Sequence, residues 1–273
     1  MTRRRPLRHV TFVVGALITM LLIATAIVSL AWTPADPLAM SISGRLTGPT
    51  SEHPFGTDQY GRDLLSRVMR GAVTSIAVGV IAVGIGAMTG LTIGILSGYV
   101  GGWCDEVLMR LIDAVQGFPA ILSALLFTAV FGPGIVVSMV AVGIAFVPAF
   151  ARISRGSFLE LRAREFVVAA QALGARNRRL VLRHILPNTL APLIVQATTS
   201  FPVAILAEAG LAYLGLGTQP PHPSWGLMLK EAQNFLGMSP WFALFPGLAI
   251  AATVLGLNLL GDGLRDLLDP RTA

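Results

Sequence analysis

Five uncharged apolar runs, at positions 10–30, 72–100, 114–151, 189–207 and 241–260, limit what this chain can fold into. A helix needs about 20 mainly apolar residues to cross a bilayer core. Four runs supply one such helix each. The run 114–151 is long enough for two, with Gly132-Pro133-Gly134 as a turn signal at its middle. The expectation is an all-α integral membrane protein with six transmembrane helices. Composition agrees: 54% of residues are hydrophobic, 12% are charged and the mean hydropathy is +0.72. Soluble domains carry about 25% charged residues. The first run follows Arg3, Arg4, Arg5 and Arg8. A cleaved leader also begins basic, but its apolar part is only about 7–15 residues, so an uncleaved first span is expected.

Orientation follows the basic residues, which favour the cytoplasmic side. Six spans put both termini on one side. That side collects fifteen of the 20 basic residues, eight of them between positions 152 and 188, and the other side collects five. Both termini are therefore expected in the cytoplasm. Arg62–Arg70, with Asp58 and Asp63 nearby, reads as an amphipathic surface helix leading into span two.

Within span two, Ala82, Gly86, Gly90, Gly94, Gly98 and Gly102 recur every four residues. Such a ridge lets helix backbones approach closely in lipid. It predicts burial within this chain's own bundle, or contact with a partner subunit. Pro119, Pro148, Pro192, Pro202 and Pro246 lie in or beside spans, where neighbouring helices satisfy the groups they release.

Several chemistries lack their residues. The sole lysine, Lys230, sits in "LMLKEA" outside any G-x-x-x-x-G-K-[ST] frame, so ATP binding by a phosphate loop is not expected. His9, His53, His184 and His222 are scattered, and Cys104 is the single cysteine; no metal, disulfide or catalytic site is expected. Ser157 stands in no G-x-S-x-G elbow. Charge inside the spans is nearly absent, which argues against a buried proton relay. Asp113 is expected to cap the N-terminus of span three. Glu208, towards the outer end of span five, is a candidate for meeting a cationic group of substrate, or for merely pairing with a loop donor. With Tyr213 and Trp225 it brackets the proline-rich loop "GLGTQPPHPSWG", a candidate outer gate or an ordinary loop with an interfacial tryptophan.

One segment is out of character for so apolar a chain. "EFVVAAQALGARNRRLVLRHILPNTLAP", from Glu165, packs four arginines into Arg176–Arg183. Between Arg152 and Arg183 lie eight arginines and two glutamates, a surplus equal to the chain's net charge of +6. Helix formers precede Gly174, and "RNRRLVLRHIL" restarts a helix that Pro187 is expected to stop. Lipid anchoring explains the charge. It does not explain two short helices with an apolar face of Phe166, Val167, Ala170 and Leu173. Docking of a protein partner does.

This segment resembles the cytoplasmic signature loop of permease subunits of binding-protein-dependent ABC importers, an EAA…G…I-LP pattern. Ala169, Ala170, Gly174, Leu186 and Pro187 stand at matching spacings, while Val168 replaces the signature glutamate and His184 the usual isoleucine. Glu165 lies one turn too early to substitute. "RHILPN", "HPFGTDQYGRDLLSRVMRGA", "LAEAGLAYLGLGTQPPHPSWG" and "LFPGLAI…NLLGDGLRDLLDPR" are similar to the dipeptide/oligopeptide/nickel branch, in particular its C-type permease.

The resemblance implies a type I ABC importer permease fold in a bacterial inner membrane. It divides the chain into 1–71, a first span with an external linker, and 72–273, a five-helix core. It implies a coupling helix that docks on ATPase subunits, involving Glu165, Ala169, Ala170, Leu173, Gly174, Ala175, His184, Leu186 and Pro187. The implied partners are a B-type permease, two ATPases holding ATP and Mg2+, an extracytoplasmic substrate-binding protein and membrane lipid, with no nucleic acid. Dipeptides or oligopeptides are the expected cargo, nickel or glutathione the alternatives. An ATP-independent secondary transporter and a membrane-embedded enzyme are the rival classes; the first wants charge inside the spans and the second clustered His, Asp or Ser.

Overall fold

The computed structural model describes the backbone of residues 5–268 and the side chains of 10–266. Arg3, Arg4 and Arg271, the side chains of Arg5 and Arg8, and the expected placement of the termini lie outside that range. Helices dominate the described residues: α1 (Arg5–Ala31), α2 (Leu64–Val100), α3 (Gly102–Gln116), α4 (Ala120–Phe131), α5 (Ile135–Arg162) and α6 (Glu165–Ala172). They continue as α7 (Asn177–Arg179), a π-helical turn (Leu180–Ile185), α8 (Leu186–Tyr213), α9 (Trp225–Ala232) and α10 (Trp241–Leu268).

Among the described residues, five helical stretches are long and apolar enough to cross a membrane: Val10–Ala31, Leu64–Val100, Ile135–Arg162, Asn177–Tyr213 and Trp241–Asp266. The third span differs from the expectation. It does not run on continuously from 114; α3 and α4 meet at an 86° bend, and only together do they make a sixth crossing. Gly117 and Pro119 break the helix there. Proline disfavours helical geometry in the residue before it, and α4 restarts from Pro119 itself. Asp113 consequently lies in the last turn of α3, not at a helix start, and pairs with Arg152 at 2.6 Å.

The small-residue ridge of α2 packs against α5. A Cβ on Gly86 would stand 2.6 Å from that of Phe146, and one on Gly90 2.5 Å from that of Phe150. On Gly94 it would meet the Ala151 carbonyl at 2.5 Å, and on Gly98 the Phe158 ring at 2.8 Å. Burial within the chain's own bundle is thus the outcome for these four positions. Gly102 has open space around it and falls outside the ridge. α1 closes the bundle along α10, where Gly15 rests on the Leu259–Leu260 backbone. Pro148, Pro192, Pro202 and Pro246 all lie inside continuous helices.

α2 begins eight residues ahead of its apolar run, capped by Asp63, whose carboxylate accepts from the Ser66 N–H at 2.7 Å. The stretch expected to be a surface helix is instead interior. Arg62 and Arg67 are 2% and 0% exposed. Arg62 Nε donates to Asp58 at 2.6 Å, and both guanidiniums reach Glu231 of α9, at 3.3 and 3.1 Å. Buried charge persists only when paired, which explains why the two arginines and two carboxylates occur together.

Candidate functional site

The segment between α5 and α8 is more helical than a loop. α5 runs out to Arg162, and α7, the π-helical turn and α8 form one rod from Asn177 to Tyr213. Pro187 does not stop it. The Leu186 N–H donates to the Val181 carbonyl, an i→i−5 bond, and the wider π turn just before Pro187 accommodates its ring at the start of α8. Only α6 stands apart, eight residues between two turns.

The end of α6 is built by Gly174. The Gly174 N–H donates to Gln171 and the Ala175 N–H to Ala170, at 3.0 and 3.1 Å. These are the paired bonds of a Schellman cap, which needs a left-handed residue between them. Gly174 supplies it with φ +82°, in a place where an added Cβ would touch nothing. Conformation alone therefore asks for glycine here. Glu165 lies in the first turn of α6, where negative charge favours the helix.

The single apolar face expected for α6 is split. Val167, 2% exposed, enters a cluster with Phe158, Leu180 and Ile185, and Ala170, Ala175 and Val181 pack at its edge. Phe166, Val168 and Leu173 point outward, Leu173 being 90% exposed. One side of α6 thus holds it on the bundle and the other offers apolar surface. Ala169 is exposed beside that surface, Leu186 and His184 are half-buried, and Pro187 is exposed on the rod behind. Three of the eight arginines pair within the chain: Arg155 forms a two-bond fork with Asp105 at 2.6 Å, Arg152 pairs with Asp113, and Arg164 pairs with Glu160. Arg162, Arg164, Arg176, Arg178, Arg179 and Arg183 are exposed around α6.

At the opposite end, the 214–224 loop is tied down on several sides. The Gly134 N–H and Ser138 hydroxyl both donate to the Leu216 carbonyl, at 3.0 and 3.2 Å, and Thr74 donates to Pro223 at 3.0 Å. Glu208, fully buried, accepts from the Thr218 hydroxyl at 3.1 Å. Trp225 is 1% exposed and not interfacial; its indole N–H donates to the Val68 carbonyl at 2.9 Å. Tyr213, half-exposed, donates to Gln233 at 2.9 Å. Of the Asp58–Arg62–Arg67–Glu231 cluster, the sequence placed Asp58 beside the arginines, but no local spacing pointed to Glu231.

Membrane-spanning helices that carry a short side helix with outward apolar residues make this a polytopic membrane protein. Positions 90–273 match the family described as binding-protein-dependent transport system inner membrane components, and the chain belongs to that family. It is a permease component of a binding-protein-dependent ABC importer, a multi-pass protein of the bacterial inner membrane.

Among its relatives is the dipeptide transport system permease protein DppC of Alkalihalophilus pseudofirmus, 44% identical over 95% of this chain and 85% of that one. The glutathione transport system permease protein GsiD of Escherichia coli is 45% identical over 98% and 89%. A putative peptide transport system permease protein of Brucella abortus is 43% identical over 99% and 91%. Among solved structures, the inward-facing MetNI methionine ABC transporter superposes with a TM-score of 0.60 at 17% identity, over 74% of this chain and 96% of that one. An amino acid ABC transporter gives 0.54 at 20%, over 75% and 94%. At these identities the two structures speak for the fold alone.

Proposed function

We propose that this chain moves short peptides inward by alternating access, driven by ATPase subunits that dock on α6. The observation that carries the proposal is the pair of faces on α6: Val167 fixed in the bundle, Phe166, Val168 and Leu173 presented outward. An exposed apolar patch held in one orientation is suited to a complementary groove. The arginines around it steer the encounter, each exposed pair being worth only about 0.2–1 kcal/mol. ATP and Mg2+ belong to the docked subunits. The end bearing α6, and with it both termini, faces the cytoplasm, in keeping with the basic residues gathered there.

A homologous B-type permease completes the path as the other half of a heterodimer. The 214–224 loop, held by Glu208 and Trp225 and flanked by Tyr213, forms a stiff outer cover that meets the binding protein. Short peptides, glutathione among them, are the cargo favoured by the names of the relatives; nickel is the weaker alternative.

Leu173→Asp tests the docking. The variant complex keeps its stability, since Leu173 is 90% exposed, but fails to retain the ATPase on co-purification and loses ATP-driven uptake. Full ATPase retention with unchanged uptake defeats the proposal. Binding measurements on the associated solute-binding protein, against a peptide panel and Ni2+, decide the cargo.

A further inference from the structure

A second feature lies at the α6 end of the bundle. α5, α8 and α10 enclose an open crevice of about 670 Å³, within the 300–1,000 Å³ range of small-molecule sites. Its lining includes Ser157 and Glu160 from α5, Asn188, Gln196 and Thr199 from α8, and Arg265 from α10. Polar side chains on membrane helices are costly unless they face a polar occupant or water. Here they come from three helices to one space.

We propose that this crevice is a binding site for the zwitterionic backbone of a short peptide, with the ligand's carboxylate on Arg265 and its ammonium on Glu160. The assignment rests on the peptide reading above and deepens it. The crevice holds one acid and one base on separate helices, the pattern a free amino and a free carboxyl terminus require. Neither group is locked into another task. Arg265 has no ion-pair partner among the described residues, and Glu160 pairs only with Arg164, both well exposed. Exposed pairs of that kind are weak and readily exchanged.

Two amides line the same crevice. Asn188 donates one amide hydrogen to the His184 carbonyl and Gln196 one to the Ser200 hydroxyl. Each side chain keeps a second amide hydrogen and a carbonyl oxygen for peptide groups. An anionic lipid headgroup is disfavoured by Glu160, which would repel it, although Ile153, Leu161, Ala191, Pro192 and Val195 complete the lining with apolar surface. The location adds a consequence. The helices bearing Glu160 and Asn188 are the two that α6 connects, so movement of α6 opens or narrows the crevice between them.

The test uses the complete transporter in nanodiscs, without nucleotide or binding protein. Three probes are titrated by saturation-transfer NMR: alanyl-alanine, its N-acetyl form and its C-terminal amide. Wild type is expected to bind alanyl-alanine about tenfold more tightly than either blocked form, the size of one charged hydrogen bond. Glu160→Gln abolishes the penalty for acetylation only, and Arg265→Gln abolishes the penalty for amidation only. Such pairing of variant with probe cannot arise from misfolding.

Equal losses for all three probes, or no change, overturn the assignment. So does phosphatidylglycerol that co-purifies with wild type and is lost from Arg265→Gln while peptides fail to bind. Uptake by the same purified transporters reconstituted into proteoliposomes, supplied with ATP and the binding protein, separates the two levels. Wild-type peptide uptake without the paired pattern removes the crevice assignment alone. Absence of uptake of any peptide by wild type removes the peptide reading, and the assignment with it.

Discussion

Arg67 and Glu231 stand 164 positions apart in the chain and meet at 3.1 Å, the arginine with no exposed surface at all. With Arg62 and Asp58 they join the start of α2, the segment before it and α9 into one unit. The charges balance, two against two, which is the condition for keeping them out of water.

Removing one member unbalances the cluster. Glu231→Gln is expected to destabilise the protein by about 3 kcal/mol, because two guanidiniums then share one carboxylate. Removing Arg67 and Glu231 together, as Arg67→Leu with Glu231→Leu, is expected to recover most of that loss, since Arg62 and Asp58 remain paired. Thermal unfolding of the purified complex checks both; a double variant weaker than the single one contradicts the balance argument.

Gly90 tests the α2–α5 contact. A Cβ there has 2.5 Å to Phe150 and 2.8 Å to the Ala151 nitrogen, too little for any atom. Gly90→Ala is expected to cost about 1–3 kcal/mol, the usual range for overpacking. Gly84, on the same helix with nothing within 4 Å, is the control. Gly84→Ala is expected to change stability by no more than about 1 kcal/mol. The comparison is read from the amount of folded protein in membranes and from its melting temperature.

Gly174 separates conformation from crowding. Its φ of +82° penalises a side chain although the space around it is empty. Gly174→Asn is expected to retain more uptake than Gly174→Val, because asparagine tolerates the left-handed region and β-branched residues do not. Gly174→Asp tolerates the same turn but places a negative charge at the C-terminal end of α6 and on the docking surface, and is expected to uncouple uptake from ATP hydrolysis for that reason. Peptide transported per ATP hydrolysed, in proteoliposomes, is the measurement, and unchanged stoichiometry in Gly174→Asp contradicts the docking role.

Trp225 is an anchor for the start of α9. Trp225→Phe keeps most of the apolar contact with Gly71 but loses the hydrogen bond to Val68, and is expected to cost about 1 kcal/mol with uptake retained. Trp225→Ala is expected to cost about 3–5 kcal/mol through the cavity it leaves. A large fall in uptake with unchanged stability in Trp225→Phe would instead place the indole in the substrate path.

The spans were legible because lipid imposes a length and composition that show in any window of the chain. Gly174 was legible for a similar reason: a cap is a local device, written within five residues. The small-residue row of α2 announced a close contact but not its partner, and α5 supplies it. Pro187 misled because a π-helical turn absorbs the ring that an ordinary helix would reject. Trp225 misled because tryptophan after a proline-rich loop suits a membrane interface and a core equally well.

By itself, the sequence determined that the chain lives in a bilayer, how many times apolar helices can cross it, and where a basic hinge breaks the pattern. These properties depend on neighbours within a few turns. Only the tertiary structure decided that Arg62 and Arg67 are interior, that α6 turns Val167 inward and Leu173 outward, and that Glu160 and Arg265 share one crevice. Each of those outcomes depends on residues far apart in sequence. A charge is tolerable inside, or available to a ligand, only according to what distant segments bring beside it.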